Sequence, residues 1–512
     1  MQVVLSMVVL IVLGGSGAIV GCGERERTAG EDDEESEVDA GIDSVVDVGD
    51  AQLDAANVHD TFATAESDSD DDSAGDVDVR VEDEAEGELD AGVGCERLCA
   101  RGQVVRDHRR VDDSRTRLLP VEVVPVAGFA VSVHAGAAQV AAGRTDAEGR
   151  FELPLVEAPA DDVALVFTTI EQLPDEAAPR LAVLDSAGVA VPRDVGMPVV
   201  AQRAWAWVVA PVTNTARTID FGEVHVTEAR GAGAIAIFET IERARAQAVA
   251  TFAAASDVPQ GGSADAPPTL AVLWNPGVNV SCIACYLPTG WGPISWHTSA
   301  GEVPFDRAMF LSGADSAPLH FTPSLVAHEL GHWVMDTYSR FPEAFGSHGW
   351  GQLSPPSLAW SEGFATFFAQ WSLSSPAHVD SRFFGKQSNV EFWVDLEAVG
   401  AGSAAAASSL PVVFQRPTAG GGLTQTLNEA VVAAMLWDLW DASADPLADE
   451  DVTLGDLVVT TIAQLVEDDA DRGVAGPDLV DMLDALACRV MAPTAWSEAL
   501  MGFPWDATAA CP

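Results

Sequence analysis

The stretch Thr322-Pro323-Ser324-Leu325-Val326-Ala327-His328-Glu329-Leu330-Gly331-His332-Trp333 decides how this 512-residue chain is interpreted. Thr322 suits the residue before a helix, and Pro323 suits the first helical position. On such a helix His328 and His332 lie four residues apart on one face, so both imidazoles can reach one metal ion. Glu329 is rotated by roughly 100° from His328. It therefore lies beside such an ion, where it can take a proton from a metal-bound water.

A third ligand is expected in Trp360-Ser361-Glu362-Gly363-Phe364-Ala365-Thr366-Phe367-Phe368. This stretch is amphipathic and follows Pro355 and Pro356, which indicates a second helix. A buried acid among these aromatic side chains is costly unless a cation offsets its charge. Glu362 is therefore the predicted third ligand.

The pairing of His-Glu-Leu-Gly-His at 328–332 with Trp-Ser-Glu-Gly-Phe-Ala at 360–365 resembles the gluzincin metallopeptidases. The metzincin pattern is excluded, because it needs a glycine and a histidine where Met335 and Tyr338 stand. The gluzincin resemblance implies that His328, His332 and Glu362 bind Zn²⁺ and that Glu329 is the catalytic base. It also implies a zincin-like, mainly α (α+β) domain that acts on a protein or peptide substrate, with an endopeptidase expected.

Several positions around this site leave alternatives open. His348 is a rival ligand in the segment between the two helices, and Thr366 stands where thermolysin-like enzymes have an aspartate. Asp336 is a candidate to replace that aspartate beside a ligand histidine, and it fits a solvated surface acid equally well. Arg307–Leu311 is predicted to be an edge strand that aligns a substrate by main-chain pairing. Candidates for the donor to a tetrahedral oxyanion are Tyr286, Tyr338, His297, His320, His348 and His378.

Residues 115–228 consist of short segments of alternating polarity separated by Gly, Pro and Asp, which predicts an antiparallel β-sandwich. The predicted strands are Val121–Val126, Phe129–His134, Phe151–Leu155, Val163–Thr168, Leu181–Leu184 and Ala204–Val209. The run from Thr145 to Phe151 (TDAEGRF) resembles the turn-strand signature of carboxypeptidase-regulatory-like, transthyretin-like domains. In that family the domain is an accessory module, so no catalytic role is expected for it.

Residues 229–512 are predicted to form the metallopeptidase domain, which makes the chain multidomain. Apolar spacing favours a helix over Ile235–Ala254 and a strand over Thr269–Trp274. Further helices are predicted over 323–338, 357–371, 426–441, 454–467 and 477–490.

The N-terminus has the features of an export signal. An apolar run from Val3 to Leu13 is followed by Ile19-Val20-Gly21-Cys22, which resembles a bacterial lipobox. The resemblance implies that residues 1–21 are removed and that Cys22 is acylated, so we expect an exported, cell-envelope lipoprotein held on a membrane. A plain transmembrane anchor is the alternative. Residues 23–92 contain 27 acidic and 3 basic residues. We therefore predict a disordered acidic tether over 22–92 and a cysteine-containing connector over 93–114.

Charge and cysteine content agree with export. The formal charge is −52 and the pI about 4.1, which makes nucleic-acid binding unlikely because phosphates would be repelled. Apart from Cys22 the cysteines form an even set suited to disulfides in an oxidising compartment. They are Cys95, Cys99, Cys282, Cys285, Cys488 and Cys511, and pairing of neighbours is the simplest scheme.

Two other functions compete with an endopeptidase. A non-catalytic envelope or adhesion protein would keep zinc only for structure, with Glu329 dispensable. An aminopeptidase would need an acidic motif that captures the substrate N-terminus, and no Gly-x-Met-Glu-Asn-like segment is present.

Overall fold

The structure is a computed structural model. It describes residues 98–111, 118–158, 163–172, 179–189, 191, 197–201, 203–215, 217–254, 267–288, 291–298, 301–315, 317–342, 344, 346, 348, 351–380, 392–399, 414–418, 420–441, 472–489 and 499–506. The predicted signal peptide, Cys22, the acidic tether and the helix over 454–467 lie outside these residues. The described residues belong to one compact unit and form a mixed α+β fold. None of the helices that can be described is both long and apolar enough to cross a membrane.

Twenty-one strands are numbered in chain order. They are β1 Cys99–His108, β2 Glu122–Pro125, β3 Ala130–Ala135, β4 Ala138–Arg144, β5 Arg150–Pro154, β6 Val163–Thr168, β7 Ile170–Glu171, β8 Leu181–Asp185, β9 Val199–Ala201, β10 Ala206–Val209, β11 Thr213–Asn214, β12 Thr218–Val226, β13 Leu270–Trp274, β14 Ala284–Leu287, β15 Ile294–Thr298, β16 Gly301–Phe305, β17 Arg307–Leu311, β18 Gly313–Ala314, β19 Ala317–Pro318, β20 Ala377–Asp380 and β21 Phe392–Asp395.

The helices are α1 Ala232–Ala254, α2 Pro323–Tyr338, α3 Pro356–Leu373, α4 Leu396–Val399, α5 Glu429–Asp441 and α6 Leu479–Arg489. Short 3₁₀ turns occupy Glu228–Arg230 and Leu319–Phe321. The helices predicted at 235–254, 323–338, 357–371 and 477–490 agree with these bounds to within three residues. The helix predicted from 426 begins at Glu429 instead, because Asn428 caps it: its Oδ1 accepts a hydrogen bond from Ala430 N at 2.9 Å.

The first part of the chain forms two sheets. One has the order β11-β12-β1-β2 with β5 also paired to β1, and the other has the order β10-β6-β3-β4. Buried side chains of both sheets, among them Val104 and Phe151 in the first and Val133 in the second, belong to one hydrophobic core. The predicted all-antiparallel pairing is wrong in three places, because β1 and β12, β8 and β13, and β9 and β15 run parallel.

A third sheet, with the order β14-β17-β13-β8-β7, joins strands from both sides of the predicted boundary at residue 228. β8 pairs in parallel with β13, Leu181 lying opposite Leu270. All five residues of each strand are buried, as is typical of parallel strands covered on both faces. The strand pairing therefore does not show the predicted division into a sandwich and a separate helical domain.

The predicted turn at Thr145–Phe151 has the expected local structure. Asp146 Oδ1 accepts hydrogen bonds from the backbone N–H groups of Glu148 at 3.0 Å and Arg150 at 2.7 Å. Gly149 has φ +74°, and a Cβ there would lie 2.4 Å from the carbonyl oxygen of Val104, so this position requires glycine. Phe151 begins the buried face of β5.

Candidate metal centre

Two buried helices carry the predicted ligands. α2 presents His328, Glu329 and His332, and α3 presents Glu362; all four side chains are buried. Thr322 occupies the N-cap position of α2, but its side chain makes no capping hydrogen bond. Its carbonyl oxygen accepts the first hydrogen bonds of the helix, from the N–H groups of Leu325 and Val326.

Two glycines allow α2 and α3 to approach closely. A Cβ on Gly331 would lie 2.7 Å from Cα of Ala365, which is nearer than side-chain and backbone atoms come in proteins. A Cβ on Gly363 would lie 2.6 Å from Cβ of Val432 on α5. The glycines of both sequence motifs therefore fix the spacing of the three helices, and through it the distance across which Glu362 faces the two histidines.

The three predicted ligands converge. Oε2 of Glu362 lies 3.2 Å from Nε2 of His328 and 3.4 Å from Nε2 of His332. The donor atoms of these three residues all lie within 4.8 Å of one another. This buried group of two imidazoles and one carboxylate can hold a metal ion.

Each of the two histidines has a side-chain hydroxyl group close to its Nδ1 atom. Nδ1 of His328 lies 3.0 Å from Oγ1 of Thr366, and Nδ1 of His332 lies 3.3 Å from Oγ of Ser361. A histidine that binds a metal through Nε2 carries its proton on Nδ1, so both contacts would then be donated by the ring. These hydroxyls orient the imidazoles with Nε2 towards Glu362, as a metal site requires.

Asp336 does not orient a ligand, contrary to the sequence prediction. It accepts a hydrogen bond from the Tyr286 hydroxyl at 2.6 Å and pairs with the Arg307 guanidinium. Thr366 contacts His328 instead, because its Oγ1 lies 3.0 Å from Nδ1 of that histidine. Asp336 extends one turn beyond His332 but faces the neighbouring sheet, because β14 and β17 supply its two partners.

The two buried glutamates of the site differ in their electrostatics. Burial alone would raise the pKa of Glu362, but His332 and the hydrogen bonds from both histidines outweigh it and hold that pKa well below its ordinary value. Glu329 lacks such bonds, and burial raises the pKa of its carboxyl to about 7. Glu362 is therefore suited to be an anionic ligand, whereas Glu329 is suited to exchanging a proton near neutral pH.

The site opens into a cavity of about 590 Å³. Its lining includes Glu329, His348 and His378, together with Cys282, Cys285 and Tyr286. A volume of this size accommodates several residues of a peptide or another small ligand.

The edge strand beside the cavity is β14 rather than Arg307–Leu311. The latter is β17, which lies between β13 and β14 and has both edges paired, so the prediction that it is the edge strand is wrong. β14 is short and has too little alternation to be predicted as a strand. It contains Cys285, whose disulfide to Cys282 just before the strand was one of the predicted pairs.

For each of the other two predicted disulfides, only one of the two cysteines lies within the described residues. Cys99 and Cys488 are disulfide-bonded. Their predicted partners, Cys95 and Cys511, lie outside the described residues.

The six candidate oxyanion donors separate into two groups. His297 is exposed on β15, His320 is buried away from the cavity, and Tyr338 stacks on Phe252 with ring centroids 4.2 Å apart. Only Tyr286, His348 and His378 line the cavity, and the hydroxyl of Tyr286 is engaged by Asp336. His378 is fully buried and hydrogen-bonded to the side-chain amide of Gln370.

His348 is the candidate that reaches the metal centre. Its Nε2 lies 3.4 Å from Oε2 of Glu362, and its Nδ1 donates a hydrogen bond to the carbonyl oxygen of Gly346 at 3.1 Å. About a third of its side chain is exposed. His348 does not belong to the group of donors within 4.8 Å of one another. It therefore lies beside the predicted ligands, on the cavity side.

Sequence reasoning missed one acid. Glu429, at the start of α5, is buried and lines the same cavity. Glutamate in the first turn of a helix is ordinary, because the helix dipole favours it, so the sequence offered no signal.

The comparisons with known proteins give no family. No protein-family profile and no curated protein matches the chain. Among solved structures, a 9R-lipoxygenase from Cyanothece PCC8801 matches 25% of this chain and 16% of its own, with 18% sequence identity and a TM-score of 0.14. A likeness of this size carries no argument about fold or function.

Proposed function

We propose that this chain is an exported, lipid-anchored zinc peptidase that hydrolyses peptide bonds with Glu329 as general base. One observation carries the proposal: the donor atoms of His328, His332 and Glu362 meet beside a cavity that Glu329 also lines. Export and anchoring through Cys22 are supported by the sequence of residues 3–22 and by the bonded cysteines.

The donor set together with Glu329 favours zinc, because two imidazoles and one carboxylate by themselves also suit non-haem iron. Two imidazoles and one carboxylate are the ligands of catalytic zinc sites, which leave a further position open. Ligands about 2 Å from a tetrahedral ion lie roughly 3.3 Å from each other. The distances of 3.2 and 3.4 Å from Glu362 to the two histidines agree with that value.

Each residue has a definite task in this proposal. A zinc ion, when bound, supplies a Lewis acid that polarises the scissile carbonyl and acidifies the attacking water. Glu329 would take the proton of that water and deliver it to the leaving amine. His348 donates Nε2–H to the oxyanion when both of its ring nitrogens carry protons. Thr366 and Ser361 hold the ligand imidazoles in orientation.

Glu329→Gln tests the mechanism. Glutamine keeps the volume and removes the base, so turnover of every cleaved peptide should fall by about 10²–10⁴ while metal content stays at one ion per chain. Products of a peptide library are measured by mass spectrometry with and without a chelator. The matched control is Glu397→Gln, because Glu397 is exposed, accepts a hydrogen bond from Trp437 and does not line the cavity. Full activity in Glu329→Gln would exclude this mechanism.

A second candidate, a non-catalytic envelope or adhesion protein with structural zinc, is favoured by the position of His348. With its Nδ1–H bonded to Gly346, neutral His348 presents the Nε2 lone pair 3.4 Å from Glu362. A small shift of the segment around 348 would complete four protein ligands and close the site. X-ray absorption at the zinc edge separates the two candidates: three histidine nitrogens in the first shell would favour the structural site, and two would favour the peptidase.

A further inference from the structure

Glu429 is a buried carboxylate that the proposed mechanism does not use. It is the first residue of α5, and its side chain is 5% exposed. Its Oε2 atom is buried without a hydrogen-bond partner, and the residue lines the cavity at the metal centre. An unpartnered carboxylate oxygen in such a place is costly, because desolvation is not offset by any hydrogen bond.

Helix capping does not account for Glu429. The N-cap of α5 is Asn428, whose Oδ1 accepts from Ala430 N. The carboxyl of Glu429 therefore makes no capping hydrogen bond, although the helix dipole favours an acid at this position. Burial raises the pKa of the Glu429 carboxyl to about 7, although His348 opposes this shift. A cation bound next to the carboxyl would favour its ionised form.

The charges around the cavity are unbalanced. Four carboxylates line it, those of Glu329, Glu362, Asp380 and Glu429, and no Lys or Arg does so among the described residues. A divalent ion would offset Glu329 on α2 and Glu362 on α3. Glu429 on α5 lies outside that pair and has a buried oxygen without a hydrogen-bond partner.

We propose that Glu429 binds a cationic group of the substrate, an ammonium or guanidinium, next to the bond that is cleaved. The proposal rests on the proposed function and specifies its substrate class. The cation has two sources, the free N-terminus of a peptide or the side chain of Lys or Arg. The first would make the enzyme an aminopeptidase, and the second an endopeptidase with a preference for basic residues.

Paired peptides test the proposal with the zinc-loaded, full-length protein. One pair differs only by N-acetylation, and the other has Lys or norleucine at the same position beside the cleaved bond. The cationic member of at least one pair should have the higher kcat/KM, by roughly tenfold to a hundredfold, as expected for a charge-assisted hydrogen bond. The pair that responds identifies the source. Equal kcat/KM within both pairs would overturn the proposal without any variant.

Glu429→Gln assigns the preference to this residue. The ratio of kcat/KM between cationic and neutral peptides should fall to near one, and the loss should lie in the cationic member. Glu397→Gln, the control on α4 beside α5, should retain the wild-type ratio. A Glu429→Gln enzyme that loses both members equally, or keeps the wild-type ratio, would contradict the assignment.

A binding measurement separates this proposal from the proposed function. Calorimetry of the zinc-free protein with a lysine-containing tetrapeptide amide, and with its acetylated norleucine counterpart, requires no turnover. Wild type should bind the cationic peptide at least tenfold more tightly, and Glu429→Gln should not. If no peptide is cleaved but this difference is found, the peptidase proposal fails and the cation site stands. If peptides are cleaved and the difference is absent, the reverse holds.

Discussion

Oγ1 of Thr366 lies 3.0 Å from Nδ1 of His328, where it can accept the ring proton of a metal-bound imidazole. We expect Thr366→Val to weaken zinc affinity about 10–100-fold, because an oriented ligand loses its partner while the volume is kept. Competition with a fluorescent chelator measures the affinity. Thr240→Val is the matched control, since Thr240 is buried on α1 and bonds only within its own helix. Equal affinities in both variants would show that the hydroxyl does not support the site.

Gly331→Ala should damage the metal centre through helix packing. The new methyl would meet Cα of Ala365 at 2.7 Å, and backbone cannot yield as a flexible side chain does. Overpacking of this kind costs about 1–3 kcal/mol of unfolding free energy. Zinc affinity should fall with it, because α3 carries Glu362. Denaturant titration and metal analysis measure the two effects, with Gly420→Ala as control, since nothing lies within 4 Å of a Cβ there. Unchanged stability would mean that the helices adjust freely.

Removing zinc should destabilise the protein. An ion bound only to the folded state stabilises by about 4 kcal/mol when its free concentration is a thousand times Kd. Chelation should therefore lower Tm by several degrees, and added zinc should restore it. Glu362→Gln removes the anionic ligand, so its Tm should respond to neither treatment. A wild-type Tm that ignores the chelator at equilibrium would contradict a resident metal at His328 and His332.

His348→Ala distinguishes an oxyanion donor from a ligand. As a donor beside the metal centre, His348 should contribute about 10²-fold to kcat while zinc affinity stays within a fewfold of wild type. His297→Ala is the control, because His297 is exposed on β15. A large loss of zinc affinity in His348→Ala would instead support the structural site described above.

His320 should make the fold sensitive to acid. Burial, reinforced by Arg109 and Arg106, lowers the pKa of His320 from 6.5 to about 3. At a pH between these two values, His320 is protonated in the unfolded chain and neutral in the folded chain. Its contribution to stability is therefore complete above pH 6.5 and decreases by roughly 1.4 kcal/mol for each pH unit below that.

The slope is measured by denaturant titration between pH 7 and pH 4. His320→Leu should be less sensitive to pH in this range than wild type, whereas His297→Leu should not differ. Identical slopes in all three proteins would show that His320 does not couple folding to protons.

The sequence predicted the centre of the site better than its surroundings. His328 and His332 are fixed by the period of one helix, so spacing alone places them together. Glu362 needed the further argument that a buried acid among aromatics requires a cation. The candidate role of Asp336 beside a ligand histidine was wrong, and β14 and Glu429 were missed. Their roles depend on which sheet or helix packs opposite them. Local patterns predicted six of the twelve strands described before residue 228, which are β2, β3, β5, β6, β8 and β10. They did not predict the parallel pairing of β8 with β13, which depends on contacts some 90 residues apart.

The contacts at Gly331 and Gly363 have a consequence for changing this protein. Because α2, α3 and α5 are in contact through their backbones, the packing of these helices sets the distances between the donor atoms of His328, His332 and Glu362. The residues that line the cavity do not set these distances. Attempts to refit the centre to a larger cation by altering the wall alone should therefore fail. A larger cation would require whole helices to move. Because Glu429 lies on one of these helices, its position would change too. The metal preference and the preference for charged substrates would therefore change together.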